Sequence, residues 1–414
     1  MIKLKLHWQI FIAMIVGASI GIYFQNAGTD SSIFKLITSL GTIFVRLLKM
    51  IIVPLIFTSI ITGVASIKDS SRLGRLGIKT LLYYTMTSLF AIIIGLTLTN
   101  LVQPGIGIDL GDNKGFDASK LSTPNSAAEI LIRMVPLNPF HAASSGDMLG
   151  IIFFAIFLGI SISRLKGENQ STLSNFFEAI FQAIMKMTET IIMLAPIGVF
   201  GLITKAVANS GFEIFAAVGK YMVTIALGLS IHIFLILPIL FFLIIRINPI
   251  KHFRAMASAM ATAFSTSSSS ATLPITMRCV KENVGVSNET TSFVLPMGAT
   301  VNMDGTALYE CAGVIFISQV LGIDLSISQQ LTIVITALLA SIGAAGIPSA
   351  GLVMIFIVTQ AVGFKDEDVA LIIGTMLAVD RPLDMFRTMV NITSDSIGAA
   401  IIAKSEGETL YPNI

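Results

Sequence analysis

Apolar runs alternate with short polar stretches from one end of the chain to the other. The long runs lie near residues 8–25, 34–66, 78–102, 129–163, 174–206, 213–247, 290–322 and 366–403. Each is long enough to supply the ~17–25 residues of a helix that crosses a bilayer. Two further stretches, 254–282 and 328–362, are apolar but broken at their centres by small residues and proline. Nowhere do apolar and polar residues alternate singly, as they do along the strands of an outer-membrane barrel. The pattern predicts an all-α polytopic membrane protein with eight transmembrane helices and two broken segments.

Composition narrows the class. Of 414 residues, 54% are apolar and 12% charged, about half the charge of a soluble domain. The mean hydropathy of +0.86 excludes an ordinary soluble enzyme and a disordered chain. A net charge of +2 without a basic stripe argues against a nucleic-acid partner. Cys279 and Cys311 are too few for a disulfide framework. His7, His141, His232 and His252 are scattered and make no metal constellation.

The remaining charges report topology, because Lys and Arg concentrate in cytoplasmic loops. Lys3 and Lys5 precede the first span, which reads as a retained helix. Basic loops follow the second span (Lys68, Arg72, Arg75, Lys79), the fourth (Arg164, Lys166) and the sixth (Arg246, Lys251, Arg254). The intervening loops carry Asp30, Glu213, and a long stretch in which Asp109, Asp112 and Asp117 outweigh Lys114 and Lys120. Six spans with the N-terminus inside follow, and eight spans place both termini in the cytoplasm. The stretch 254–282 has Arg254 before it and Arg278 and Lys281 after it, so it enters and leaves on the cytoplasmic side. The stretch 328–362 lacks such a bias and is expected to enter and leave outside. Both read as re-entrant helical hairpins.

The two hairpins share a plan. One turns at Ser265 to Pro274, the other at Ser341 to Pro348, and each precedes a long span with polar residues at its middle. One faces in and the other out, which makes an inverted repeat. Such repeats occur in secondary transporters, with sites where broken helices meet near the midplane.

Seven charged residues remain inside the membrane: Asp304, Glu310, Asp380, Arg381, Asp384, Arg387 and Asp395. Each charge at a span's centre costs at least ~2.5 kcal/mol to insert and must face a partner or a cavity. The seventh span contains Gly298, Thr300, Asn302, Asp304, Gly305 and Thr306, poor helix formers that predict an unwound, oxygen-rich turn. That chemistry suits a small hard cation such as sodium. In the eighth span Asp380, Asp384, Arg387, Thr388, Asn391 and Asp395 recur every three or four residues and share one helical face. Arg387 presents a planar fork for a carboxylate, and Asp384 suits an ammonium. Together they complement a zwitterion with an additional carboxylate. A carboxyl in apolar surroundings favours its neutral form, so Glu310 is a candidate proton carrier. Tyr84, Thr87 and Ser88 in the third span are a weak signal alone, since hydroxyls bond back to their own helix.

These residues resemble the glutamate/aspartate–cation symporters, the family of excitatory amino acid transporters, archaeal aspartate transporters and neutral amino acid exchangers. The likeness rests on the serine-rich tip 267–274, Asn302 to Thr306, Ser341 to Pro348, Asp384 to Asn391 with Asp395, and Phe44 to Met50. It covers almost the whole chain. The resemblance implies a homotrimer in the cell membrane that works by an elevator movement, with no enzymatic activity. Residues 1–69 and 129–207 would form a scaffold, 70–128 the third helix and its loop, and 208–414 the transport core. By matching position, Ser267, Ser269, Thr306, Ile347, Gly351, Asp384, Arg387, Thr388 and Asn391 would hold the substrate. One sodium would use Gly298, Asn302, Asn391 and Asp395. A second would use Thr300, Ser341, Ile342 and Ala344, and a third Tyr84, Thr87, Ser88, Asn302 and Asp304.

Glu310 stands where the animal acidic amino acid carriers have glutamate, which implies proton coupling and raises potassium countertransport. One departure leaves potassium open. The family's additional arginine is absent, its positions being Ser267 and Met385, and Arg381 is the spare arginine nearby. The reading is therefore sodium-coupled symport of glutamate or aspartate. A dicarboxylate or neutral amino acid carrier is the alternative within the fold, although a buried unpaired Arg387 disfavours neutral substrates. An intramembrane aspartyl enzyme using Asp304 and Asp384 is disfavoured by Arg387 and Asn302 beside them, and a passive channel by the two gate-like tips.

Overall fold

The computed structural model describes residues 6–65, 71–107, 132, 135–145, 147–210, 213–343, 350–364 and 366–411. Among these residues every regular element is a helix. Three long helices open the chain: α1 (Leu6–Ala27), α2 (Ser32–Ala65) and α3 (Ser71–Val102). Then come the short α4 (Pro139–Ser145), α5 (Met148–Ser163), α6 (Glu168–Met193) and α7 (Ala195–Ser210). α8 (Glu213–Ile231) runs through a widened turn at His232–Ile236 into α9 (Leu237–Ile245). α10 (Pro249–Thr266) and α11 (Ser269–Cys279) form a tight pair, followed by α12 (Asn288–Val301) and α13 (Asp304–Val320). α14 (Ile327–Gly343), α15 (Ala350–Ala361) and the 40-residue α16 (Asp366–Ser405) complete the chain.

Three described helices are long and apolar enough to cross a bilayer: Trp8–Ala27, Arg75–Val102 and Ala216–Ile245. The pair Glu168–Ile191 and Ala195–Ala208 meets the same test as one span bent by 54°. Leu82, Leu101, Val223 and Phe234 stand exposed on these helices, as a lipid-facing surface requires.

Two groups of helices pack internally. α1, α2, α5, α6 and α7 lie on one another, whereas α3 and α8 to α16 form a second group. Within the second group small residues set the spacing. A Cβ on Gly95 of α3 would sit 2.8 Å from the Leu308 carbonyl of α13, so these two backbones are in contact. This approach delivers the hydroxyls of α3 to the start of α13.

The serine-rich tip is first a capping device. α10 ends in a left-handed turn at Ser267 (φ 53°), and the Ser268 side chain accepts from Ala271 N–H to start α11. Serine satisfies orphan N–H groups at a helix start, so the chain reverses within two residues. The corresponding tip between α14 and α15, with Ala344 and Ile347, lies outside the described residues.

Candidate functional site

The helix break expected near residues 298–306 falls at Asn302 and Met303. Both leave helical geometry (φ −101°, ψ 96° and φ −125°, ψ 62°), and α13 restarts at Asp304. Asn302 and Asp304 are fully buried. Asn302 Nδ2 donates to Asp395 Oδ1 at 2.9 Å and to Ser394 Oγ at 3.0 Å. Its Oδ1 is buried without a hydrogen-bond partner. Gly298 has no room for a side chain, since a Cβ would lie 2.5 Å from Asp395 Oδ1 and 2.6 Å from the Tyr84 hydroxyl. α12, α16 and α3 meet around this region.

From α3, Ser88 Oγ donates to Asp304 Oδ1 at 2.7 Å. Tyr84 donates to the Val294 carbonyl at 2.9 Å, and Thr87 bonds back to the Tyr83 carbonyl at 3.2 Å. Gly298, Asn302, Asp395, Tyr84, Ser88 and Asp304 therefore converge on one buried, oxygen-rich region. In the set Thr300, Ser341 and Ile342, both hydroxyls bond within their own helices. The Thr300 hydroxyl donates to Met297 in its own helix at 3.0 Å, and Ser341 to Leu338 at 2.9 Å.

One turn along α16 from Asp395, Asn391 Oδ1 accepts from Gly305 N–H at 2.8 Å, and its Nδ2 donates to Thr306 Oγ1 at 3.3 Å. Thr388 Oγ1 donates to the Asp384 carbonyl at 2.8 Å. Arg387 is 1% exposed. A single nitrogen, Nη2, donates to both Asp384 Oδ1 (2.8 Å) and Asp380 Oδ1 (3.0 Å). The guanidinium lies 3.7 Å above the Tyr309 ring, a desolvated stacking worth about 2 kcal/mol. Nε and Nη1 have no hydrogen-bond partner. Gly351 of α15 lies against Nη1, where a Cβ would be 3.2 Å away. Arg387 is thus held in place yet keeps donors in reserve. Arg381 Nη1 lies 3.9 Å from Asp384 Oδ2, with its side chain 33% exposed.

Glu310 is fully buried, and neither carboxyl oxygen has a hydrogen-bond partner. Ser267 and Ser269 are buried at the α10–α11 tip, the Ser267 hydroxyl without a partner.

Two participants, Tyr309 and His232, lie outside the residues to which the sequence points. Tyr309 supplies the stacking surface for Arg387, while Asp380, on the expected polar face, shares its nitrogen with Asp384. His232 is fully buried and sits 2.9 Å from Asp304 Oδ2 through Nε2. The signal for His232 was faint: one imidazole in an apolar helix, with Pro238 six residues on.

Comparison with known proteins places the chain among transporters. The mouse excitatory amino acid transporter 3 is 38% identical, over 97% of this chain and 86% of its own length. The proton/sodium-glutamate symport protein of Geobacillus stearothermophilus is 35% identical, over 98% of this chain and 96% of its own length. The proton/glutamate-aspartate symporter of Escherichia coli K12 is 34% identical, over 98% and 94%. All three are transporters by name. The sodium:dicarboxylate symporter family matches residues 6–405, which takes in every helix of the two packed groups, and the chain belongs to that family.

Proposed function

We propose that the protein is a secondary active transporter that carries glutamate or aspartate into the cell with sodium. The observation that carries the reading is Arg387: buried, positioned by two aspartates and a tyrosine ring, with Nε and Nη1 uncommitted. Two parallel donors on a planar fork fit a carboxylate. The substrate's side-chain carboxylate docks there and its ammonium at Asp384. Thr306, Thr388 and Asn391 serve the remaining polar groups, with Ser267, Ser269, Ile347 and Gly351 closing the pocket from the two tips.

Sodium binds in the oxygen-rich region. A buried amide oxygen without a donor, Asn302 Oδ1, beside two buried carboxylates, Asp304 and Asp395, fits a hard monovalent cation. One set comprises Gly298, Asn302, Asn391 and Asp395, another Tyr84, Thr87, Ser88, Asn302 and Asp304. The set Thr300, Ser341, Ile342 and Ala344 requires its hydroxyls to turn from their own helices toward the ion. A buried carboxyl without partners is costly as an anion, and this supports Glu310 as the carrier of a coupled proton. Potassium countertransport is a further coupling to be tested. Arg381, beside Asp384, stands in for the family's additional arginine from the open side of the pocket.

The architecture follows the same reading. Eight spans and two re-entrant hairpins, α10–α11 and α14–α15, form inverted repeats with both termini cytoplasmic. The dense packing of α1, α2, α5, α6 and α7 on one another supports a scaffold that trimerises, with the remaining helices as a core that moves past it as an elevator.

The test is uptake into proteoliposomes with an imposed sodium gradient, comparing aspartate, glutamate, succinate and alanine. Sodium-driven uptake of aspartate or glutamate is expected. Succinate uptake without aspartate or glutamate uptake refutes the amino acid assignment in favour of a dicarboxylate carrier.

A further inference from the structure

We infer that His232 is a positioning residue for sodium, holding the Asp304 carboxylate in its ion-binding orientation. The inference rests on the assignment of Asp304 to a sodium site.

The local chain explains why a histidine arrives there. Pro238 has no N–H to give to the turn before it. The helix responds by widening, so that Leu237 N–H reaches back to the His232 carbonyl across five residues. Widened turns of this kind occur within helices mostly as single-turn features at functional sites. This turn touches both α3 and α16, which wall the oxygen-rich region. His232 opens this turn and is fully buried.

Asp304 has two oxygens and each has one donor. Oδ1 accepts from Ser88 at 2.7 Å, and Oδ2 lies 2.9 Å from His232 Nε2. A carboxylate only accepts, so Nε2 is the donor in this bond. Nδ1 is buried without a hydrogen-bond partner. The imidazole is therefore anchored through this one hydrogen bond and through packing. Ser88 belongs to the ion's own ligand set and turns toward the ion. His232 does not, because an N–H cannot ligate a cation. It fixes the plane of the carboxylate while Oδ1 faces the ion. Metal-binding carboxylates and imidazoles rely on such outer partners, and losing one costs about 10–100-fold in metal affinity.

The two nitrogens give the test its resolution. Glutamine places its amide nitrogen near Nε2, whereas asparagine reaches only as far as Nδ1. The readout is the sodium concentration for half-maximal thermal stabilisation of the purified protein, without substrate. Sodium dependence of uptake in proteoliposomes is measured in parallel. Expected for His232→Leu and His232→Asn is at least a tenfold rise in half-saturating sodium, with maximal uptake at saturating sodium largely kept. His232→Gln stays within about threefold of the parent, since it restores the single N–H donor. A folded His232→Leu with unchanged half-saturating sodium overturns the proposal. If His232→Leu does not fold, equal sodium affinities of the Gln and Asn variants overturn it instead. Asp304→Asn is the control for the underlying assignment. Parental sodium affinity in that variant places the error in the sodium site and not in the role of His232.

Discussion

α16 carries guanidinium–carboxylate contacts at both ends of its working length, and they are built in opposite ways. In the apolar half, one nitrogen of Arg387 serves two aspartates, and the rest of the fork is uncommitted. Beyond the last turn, Glu406 takes a full fork from Arg75, Nε to Oε1 at 3.3 Å and Nη2 to Oε2 at 2.9 Å, and a third donor from Lys79. The first cluster has its partners beneath 10% exposure, while Arg75 is 58% exposed. The outer clasp is saturated and ties α16 to α3. The inner one is under-filled where an empty donor is most costly. Under the proposed function, the substrate's carboxylate is what the uncommitted Nε and Nη1 of Arg387 are kept for.

The sharpest way to break this comparison is to remove the inner guanidinium. Arg387→Ala is expected to abolish measurable binding of aspartate and glutamate, a loss of at least 100-fold, by calorimetry on the folded fraction. The truncation also strands Asp380 and Asp384 without their cation, which costs about 3–5 kcal/mol. Arg387→Lys separates the effects, keeping a charge but losing the planar fork, and should still weaken binding by tenfold or more. Near-parental binding by the lysine variant would show that only charge matters and that the reserved donors are incidental.

Glu310 and Glu406 make the second contrast: a carboxyl with no partners and one with three donors. Glu310→Gln should keep sodium-driven uptake and remove most of its dependence on external pH. Identical pH profiles for the two proteins would make Glu310 a structural residue. A smaller effect is expected from Arg381→Ala. Its guanidinium is partly exposed and 3.9 Å from Asp384, and a single screened interaction is worth about 1 kcal/mol or less. Affinity for aspartate or glutamate, measured by calorimetry, should fall by about fivefold.

Legibility in the sequence followed cost. The polar face of α16 stood out because charged residues at the centre of an apolar span are expensive and so rarely accidental. The break at Asn302 and Met303 was readable from its poor helix formers. The serines of the first tip were readable as small residues, but their role as caps on α11 depended on the left-handed Ser267 that only the folded chain reveals. Pairing was harder. Asp384 and Arg387 are a turn apart and were joined at once, whereas Asp380 lies seven residues from Arg387 and needs the arginine side chain to lie back along the helix. His232 gives no such local signal, because its partner is 72 residues away. A buried histidine has to satisfy a donor somewhere, and nothing local names the acceptor.

The smallest effect belongs to the outer clasp, and its pH dependence has a definite sign. Hydrogen bonds from Lys79 and then Arg75 hold the Glu406 carboxyl down to about 2, against 4.5 ordinarily. A group whose folded value lies below its unfolded value adds stability that is complete above the unfolded value and disappears as pH falls through the folded one. Glu406→Gln should therefore lower stability by about 1 kcal/mol at neutral pH. The gap between parent and variant should hold from pH 8 to about 5 and close between 4.5 and 2. Salt should narrow it as well, because Arg75 and Lys79 are open to solvent at 58% and 33%. Thermal unfolding in detergent at several pH values measures this directly. A gap that widens on acidification would mean that Glu406 is stabilised as the neutral acid, and the contrast between the two ends of α16 would fail on that side.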